Sequence, residues 1–138
     1  LVTWFADRIT KLLAIEYVTK LEFHGSLGFV MHHNHGAMLG LFSDLPAVLR
    51  VVSLSTGGAF LIFLFFVIQY LLPKKIVALR VGLSILLGGI LGNVADRIVW
   101  GYIVDFIVFG SYQKTTPAFN IADALQWVGY GIIVFSLI

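Results

Sequence analysis

The sequence contains no cysteine and little charge. Its 138 residues include 9 Lys or Arg and 7 Asp or Glu, so only 12% of the chain is charged. The missing thiols exclude disulfides and cysteine catalysis, although they leave the redox compartment undetermined. The net charge of +2 comes from basic residues that are scattered along the chain, so nothing favours nucleic acid as a partner.

The chain is instead rich in apolar residues. They make up 59% of the chain, and the mean hydropathy is +0.99, which is too apolar for an ordinary soluble domain of this size. Because a helical crossing needs about 20 apolar residues, the chain has room for four crossings and short connections. We therefore predict one membrane-embedded domain over residues 1–138, an all-α integral membrane fold with four transmembrane helices.

The predicted crossings are joined by one tight turn and two longer outer segments. They cover Leu1–Val18, Pro46–Leu72, Ile76–Trp100 and Ala118–Ile138. Glycines, histidines and alternating apolar residues over residues 19–43 are typical of short strands and turns. Lys74, Lys75 and Arg80 make the turn between the second and third crossings basic, so the positive-inside rule puts that turn in the cytoplasm. Residues 19–43 and 101–117 are then expected at the outer surface.

Two aspartates, Asp105 and Asp123, lie in or beside the most apolar parts of the chain. A carboxylate in hydrocarbon is costly, so it indicates function. Asp105 follows the third crossing and Asp123 lies about 8 Å into the fourth, so we expect the two at a shared depth. A close pair of carboxylates in a low dielectric shares one proton and can activate water, as in aspartic proteases. The alternative is that Asp105 is a solvated loop acid and Asp123 caps or salt-bridges the start of its helix.

Other polar residues recur at helical spacing, so the members of each pair share a helix face. The pairs are Asn120 with Asp123, Asn93 with Arg97, and Asp7 with Lys11. Asp7 and Lys11 are predicted to form a simple intrahelical ion pair. Three roles are open for Asn93 and Arg97: binding of backbone carbonyls, support of the acids, or contact with a lipid phosphate. Alternatively, Arg97 and its neighbour Asp96 are interfacial groups that reach for water.

The segment HHNHGA at residues 32–37 raises the question of a metal. His33 and His35 alternate as a strand would place them, but no acid or cysteine lies nearby at zinc-like spacing, so we expect no metal. Asn34 and Gly36 suit a sharp turn that brings the backbone close to a ligand.

Small residues recur every four positions on the third crossing, at Ser84, Gly88 and Gly92. Small side chains at this spacing let two membrane helices approach closely. We expect the third crossing to pack tightly along this face.

Five short motifs follow one another along essentially the whole chain: DRITK at 7–11, NHGA at 34–37, GNVADR at 92–97, VDF at 104–106 and FNIAD at 119–123. This series resembles the lipoprotein signal peptidases, the bacterial signal peptidase II family. The resemblance implies a four-helix membrane fold with a small extracytoplasmic β-sheet. It also implies an aspartic endopeptidase without a metal or other cofactor. Such enzymes remove the signal peptide from diacylglyceryl-modified prolipoproteins and cut just before the lipid-bearing cysteine.

The motifs carry residue roles over to this chain. They imply that Asp105 and Asp123 are the catalytic dyad, and that Asp7 with Lys11 is a structural pair. Six further residues match family positions that support the dyad or contact substrate. They are Asn34, Gly36, Asn93, Arg97, Asn120 and Ala122. One departure is Val108, where family members often carry a further acidic residue, so the surroundings of Asp105 are expected to be less polar.

The resemblance further implies a multi-pass monomer of the bacterial cytoplasmic (inner) membrane, with its active site near the outer, periplasmic face. Its partners are then the lipid-modified prolipoprotein and membrane lipids. Two other functions stay open. A small ion or proton carrier would use Asp105, Asp123 and Arg97 as a relay, and predicts acids spread through the membrane thickness. A non-catalytic relative would keep the fold and bind lipidated peptides.

Overall fold

The structure is a computed structural model that describes residues 1–36, 44–73 and 76–138. In these ranges helices and short strands alternate along the chain. The elements are α1 (Val2–Tyr17), β1 (Glu22–His24), β2 (Leu27–Asn34), α2 (Ala47–Leu71), α3 (Val77–Trp100), β3 (Ile103–Ser111), β4 (Lys114–Thr115) and α4 (Ile121–Leu137). The predicted helices and the small sheet are confirmed, and the chain is mostly helical.

Each predicted crossing corresponds to a helix, but the helices differ in how well they suit a membrane. Among the residues that the structure describes, α2 and α3 are long and apolar enough to cross a bilayer. The apolar helix α4 has 17 residues, and α1 has 16 residues that include several charged ones. Lys74 and Lys75, on which the predicted orientation depends, and residues 37–43 lie outside the described residues.

The four strands form one antiparallel sheet in the order β1-β2-β3-β4. The strands predicted within residues 19–43 are therefore confirmed, whereas the segment 101–117, expected only as a surface connection, contributes β3 and β4. Asp105 pairs with His32 across the β2–β3 ladder. Residues directly opposite each other share a sheet face, and side chains alternate along a strand. Asp105, His32 and Asn34 therefore lie on one face, while Val104 and Phe106 pack into the core on the other.

Glycines let α3 pack closely against two neighbouring helices. A Cβ on Gly129 of α4 would lie 2.9 Å from the carbonyl oxygen of Gly82, so the α3 and α4 backbones nearly touch. Gly88 and Gly92 face Thr3 and Asp7 of α1. The predicted packing face is therefore confirmed for its two glycines. Ser84 instead bonds its hydroxyl to the carbonyl of Arg80 in its own helix.

The molecule has a polar interior and an apolar exterior. The largest fully buried side chains include Lys11, Asp7, Asp96, Asp105 and Asn120, whereas the helices expose many large apolar residues. A soluble protein has the opposite distribution, because charged side chains are almost never buried without a partner. This distribution suits a molecule whose helices face lipid and whose interior holds a polar site.

Candidate active site

Asp105, the third residue of β3, is held by two amide side chains. Asn34 Nδ2 donates to Asp105 Oδ2 at 2.9 Å, and Asn120 Nδ2 donates to Asp105 Oδ1 at 2.7 Å. The residue is only 1% exposed. The alternative that Asp105 is a solvated loop acid is therefore wrong, because the sheet and the two amides remove it from water.

Asp123 lies in the first turn of α4, as its third residue. Its backbone N–H donates to Asn120 Oδ1 at 2.9 Å, and the Asn120 N–H returns a long bond of 3.4 Å to Asp123 Oδ2. This is a capping box, so the alternative that Asp123 caps the helix is confirmed. The predicted depth is corrected, because the helix begins at Ile121 rather than Ala118. The side chain also accepts a bond of 2.8 Å from Asn93 Nδ2 at Oδ1, and the residue is 2% exposed.

Asn120 brings the two acids into one cluster. Its Nδ2 contacts Asp105, its Oδ1 caps Asp123, and the same Nδ2 lies 3.1 Å from Asn93 Oδ1. Both aspartates are therefore hydrogen-bonded to Asn120, Asp105 through its carboxylate and Asp123 mainly through its backbone N–H. Asp105 and Asp123, which come from separate segments, therefore belong to one hydrogen-bonded cluster.

Lys11 forms the centre of a buried ion network behind the acids. Its Nζ lies 2.7 Å from Asp7 Oδ2, 2.8 Å from Asp96 Oδ2 and 3.1 Å from Asn93 Oδ1. The predicted Asp7–Lys11 pair is confirmed, but it reaches beyond its own helix, because Asp96 and Asn93 belong to α3. Asp7 Oδ1 also accepts the backbone N–H of Ala122 at 2.9 Å. The pair therefore fastens α1 to both α3 and α4.

Asp96 is fully buried, so the alternative that it reaches for water is wrong. Its Oδ1 pairs with Arg8 Nη1 at 3.0 Å, and its Oδ2 also accepts the backbone N–H of Val104 at 3.2 Å. The Arg8 guanidinium in turn lies 4.3 Å over the Trp100 ring. The spacing of Asn93, Asp96 and Arg97 places them on one helix face. This shared face is the feature of the sequence that could have predicted an inward position for Asp96.

Arg97 connects α3 to the turn that follows β2. Its Nη2 donates to the Gly36 carbonyl at 2.9 Å, and its Nη1 donates to the Asn93 carbonyl at 2.9 Å. The Gly36 N–H in turn donates to Asn34 Oδ1 at 2.9 Å. Of the alternatives for Arg97, binding of backbone carbonyls is observed, and the interfacial position is wrong because the residue is buried. The predicted turn at Asn34 and Gly36 is present.

The pKa of Asp105 is raised from its ordinary value to about 7. Burial is the main cause, and the charge of Asp123 adds to it. Hydrogen bonds from Asn34 and Asn120 and the charge of Lys11 act in the opposite direction but do not cancel the effect. Asp105 can therefore gain or lose a proton near neutral pH.

The histidines at the end of β2 make aromatic contacts. The His33 ring stacks on Tyr102 with centroids 4.2 Å apart, and His35 meets the same ring edge-on at 5.7 Å. Over residues 1–36, 44–73 and 76–138, the structure contains no group of three or more residues that could hold a metal ion.

The predicted site residues fall into three positions around the acids. Asn34, Asn93 and Asn120 bond directly to an aspartate. Arg97 and Gly36 lie one hydrogen bond further out. Ala122 lies behind Asp123, where its N–H bonds to Asp7.

Comparisons with known proteins decide the family. The family model described as "Signal peptidase (SPase) II" matches residues 1–138. This chain belongs to the signal peptidase II family. A lipoprotein signal peptidase of Acinetobacter baumannii is 36% identical over 127 residues, covering 89% of this chain and 71% of that protein. One from Aquifex aeolicus is 36% identical over 131 residues, covering 94% and 77%.

The fold comparison agrees with this assignment. A solved bacterial membrane enzyme matches with a TM-score of 0.85 and 25% identity, over 99% of this chain and 82% of that one. As a member of the signal peptidase II family, the chain is a peptidase, and it is a membrane-embedded bacterial protein.

Proposed function

We propose that this chain is an aspartic endopeptidase that removes the signal peptide from diacylglyceryl-modified prolipoproteins, cutting just before the lipidated cysteine. The observation that carries the proposal is the burial of Asp105 and Asp123 in one cluster joined by Asn120. The relatives named as lipoprotein signal peptidases support the substrate class.

The charges around the site favour a dyad that carries one proton. The buried cluster contains four carboxylates, Asp7, Asp96, Asp105 and Asp123, and three cations, Arg8, Lys11 and Arg97. Asp7 and Asp96 are paired by Lys11 and Arg8, which leaves the charge of Arg97 to balance two acids. A single proton shared by Asp105 and Asp123 makes the cluster neutral, which a low-dielectric interior favours.

In the proposed reaction the two acids divide the proton transfers. The protonated aspartate polarises the scissile carbonyl while the ionised one takes a proton from water, and the tetrahedral intermediate collapses as a proton passes to the leaving amine. Asn34 and Asn120 hold the carboxylates in position and orient the peptide backbone. Arg97 acts through the Gly36 carbonyl, where it fixes the turn that carries Asn34.

For the membrane arrangement we propose one domain over residues 1–138 with four crossings, α1 to α4, in the inner membrane. Water must reach the acids, and the sheet that carries Asp105 lies at the C-terminal end of α3. We therefore propose that this end faces the periplasm. The acyl chains of the substrate then stay in the bilayer, so the depth of the dyad selects the bond. Membrane lipids surround the helices of a monomer.

The ion or proton carrier is the less favoured function. It predicts acids spread through the membrane thickness, whereas the buried acids cluster around Asn93 and the start of α4. No chain of acids extends toward the N-terminal end of α3 among the described residues.

Replacement of each acid by its amide tests the proposal. Asp105→Asn and Asp123→Asn keep shape but lose acid–base capacity, so we expect cleavage of a lipidated precursor in detergent to fall by at least about 10²-fold in each variant. The exposed Asp44 offers a matched control, Asp44→Asn, with activity expected to stay at the wild-type level. Comparison with an unlipidated precursor shows whether cleavage requires the lipid. Undiminished turnover in either dyad variant would remove that residue from the mechanism.

A further inference from the structure

A cavity of about 350 Å³ opens next to Asn34, at the end of β2. One wall is β2, with His32 and Asn34. Val108 of β3 also lines it, and the opposite wall is the segment at residues 115–118 that leads to α4. Asn34 is shared with the candidate active site, because its Nδ2 donates to Asp105. The cavity is therefore one side chain away from Asp105.

We propose that this cavity binds the side chain of the residue just after the lipidated cysteine, and that it accepts neutral or acidic side chains and rejects lysine and arginine. This inference rests on the proposed function and adds the specificity of the same site.

The position of the cavity decides which side of the cut it serves. The apolar signal peptide precedes the cut and belongs with the helices, whose outer surfaces are apolar. The cavity is lined by strand residues and by the connection before α4. It therefore lies on the side where the polypeptide leaves the membrane. The cysteine keeps its acyl chains in the bilayer, so the next side chain is the first one free to enter.

The chemistry of the walls decides which side chains fit. Among the described residues that line the cavity, His32 is the only titratable one, and none carries a carboxylate. Val108 is apolar and only 3% exposed. A lysine or arginine would lose water here without gaining a counter-charge, which is costly. A carboxylate can instead accept a hydrogen bond from a ring N–H of His32.

The nearest acid does not change this balance. Asp105 lies across the ladder from His32, but both of its oxygens accept bonds from Asn34 and Asn120. It is also the residue that must exchange a proton in the proposed reaction. A substrate cation that paired with it would fix its charge, so such a pairing would lower turnover.

The test uses three lipidated precursors that differ only in the residue after the cysteine, which is serine, aspartate or lysine. For the wild type we expect kcat/KM for the lysine precursor to be at least about tenfold below that for serine. His32→Glu puts a carboxylate into the wall, so the lysine-to-serine ratio should rise and the aspartate-to-serine ratio should fall. A rise in KM with little change in kcat identifies a binding effect.

The adjacent histidine is a matched control. His33 lies on the opposite face of the sheet, where it stacks on Tyr102, so His33→Glu makes the same charge change outside the cavity. We expect it to leave both ratios unchanged. Thr115→Glu places a carboxylate at the far wall, and it gives a second route to the same shift if His32→Glu does not fold.

The outcomes separate the two proposals. If the wild type cleaves none of the lipidated precursors, the proposed function fails and this inference falls with it. If the precursors are cleaved but neither His32→Glu nor Thr115→Glu changes the ratios, the inference alone is wrong. An equal shift in His33→Glu would also overturn it, because the effect would then come from general surface charge.

Discussion

The polar side chains that touch the two acids are asparagines rather than cations. Asn34 and Asn120 donate to Asp105, and Asn93 donates to Asp123. An amide can hydrogen-bond a carboxylate without supplying a full opposite charge. A cation at that distance would lower the pKa of the carboxyl by about one to three. The lysine of the site contacts Asn93 instead. With asparagines rather than cations around it, Asp105 keeps a pKa of about 7.

We predict that kcat/KM falls as pH rises through about 7. The pKa of Asp105 is about 7, because of burial first and then the charge of Asp123. Above that pH the pair loses its last proton, so no acid remains to polarise the carbonyl. The apparent pKa in the kcat/KM profile belongs to the pair of acids.

The free energy of unfolding should also fall as pH rises. Since the folded-state pKa lies above the ordinary value of 3.8, the folded state binds the proton more tightly, and stability is lost as pH rises between these values.

The variant Asn34→Ala tests the cause of this pH dependence. The Asn34 bond favours the ionised form of Asp105, so its loss should raise the pKa and move the alkaline limb of kcat/KM to higher pH. The measurement is the pH profile with a lipidated precursor between about pH 5 and 9. His33→Ala, which changes the neighbouring side chain on the other face, should leave the limb in place. A limb that stays still or moves down in Asn34→Ala would contradict the assignment.

The sequence identified the acids and their asparagines, because the motif order carries them, but it misjudged Asp96. Helical spacing predicts that Asn93, Asp96 and Arg97 share a face, yet it cannot say which helix covers that face. The cations that neutralise Asp96, Lys11 and Arg8, come from α1. Such pairing arises only when distant segments pack together. A buried carboxylate and an interfacial one therefore look alike before folding.

At the scale of elements, the fourth helix and the third strand differ most from expectation. Hydropathy predicts a helix from Ala118, but residues before Asn120 pair with β3, where the Phe119 N–H donates to the Ile107 carbonyl at 2.9 Å. The capping box then begins the helix at Ile121. Strand β3 is buried on both faces over its first four residues. A strand buried on both sides lacks the alternation that reveals strands in a sequence.

We predict that Gly129→Ala loosens the contact of α3 with α4. The added Cβ would lie 2.9 Å from the Gly82 carbonyl oxygen and 2.9 Å from the Leu86 backbone nitrogen, so the two helices must separate. Overpacking of this kind costs about 1–3 kcal/mol, and the melting temperature in detergent should fall. The measurement is thermal unfolding of the purified protein.

Gly131→Ala is the matched control on the same helix. A Cβ at Gly131 meets nothing within 4 Å, and alanine is the better helix former by about 1 kcal/mol. This variant should melt at the wild-type temperature or slightly above it. Equal destabilisation by both variants would show that the close approach at Gly129 is not the cause.

At the scale of the whole molecule, the polar site lies at one end of α3. The helix has 24 residues, so it is about 36 Å long at 1.5 Å per residue, which exceeds the hydrocarbon thickness of about 30 Å. The sheet follows its C-terminus, and the connection from α2 precedes its N-terminus. If α3 crosses the membrane as proposed, its two ends face opposite sides, and the orientation of the chain decides which side the acids face.

Single cysteines measure this orientation directly, because the chain contains no cysteine of its own. Gln113 lies exposed in the turn between β3 and β4, and Pro73 is exposed after α2. If the positive-inside rule sets the topology, a membrane-impermeant maleimide added outside intact spheroplasts should label Gln113→Cys and not Pro73→Cys. Inverted vesicles should give the opposite result. Phe63→Cys, at an apolar position of α2 that is 64% exposed, should react from neither side until detergent is added. Labelling of Pro73→Cys from outside would reverse the topology, and the dyad would then open to the cytoplasm, where the proposed substrate could not be cut as it leaves the membrane.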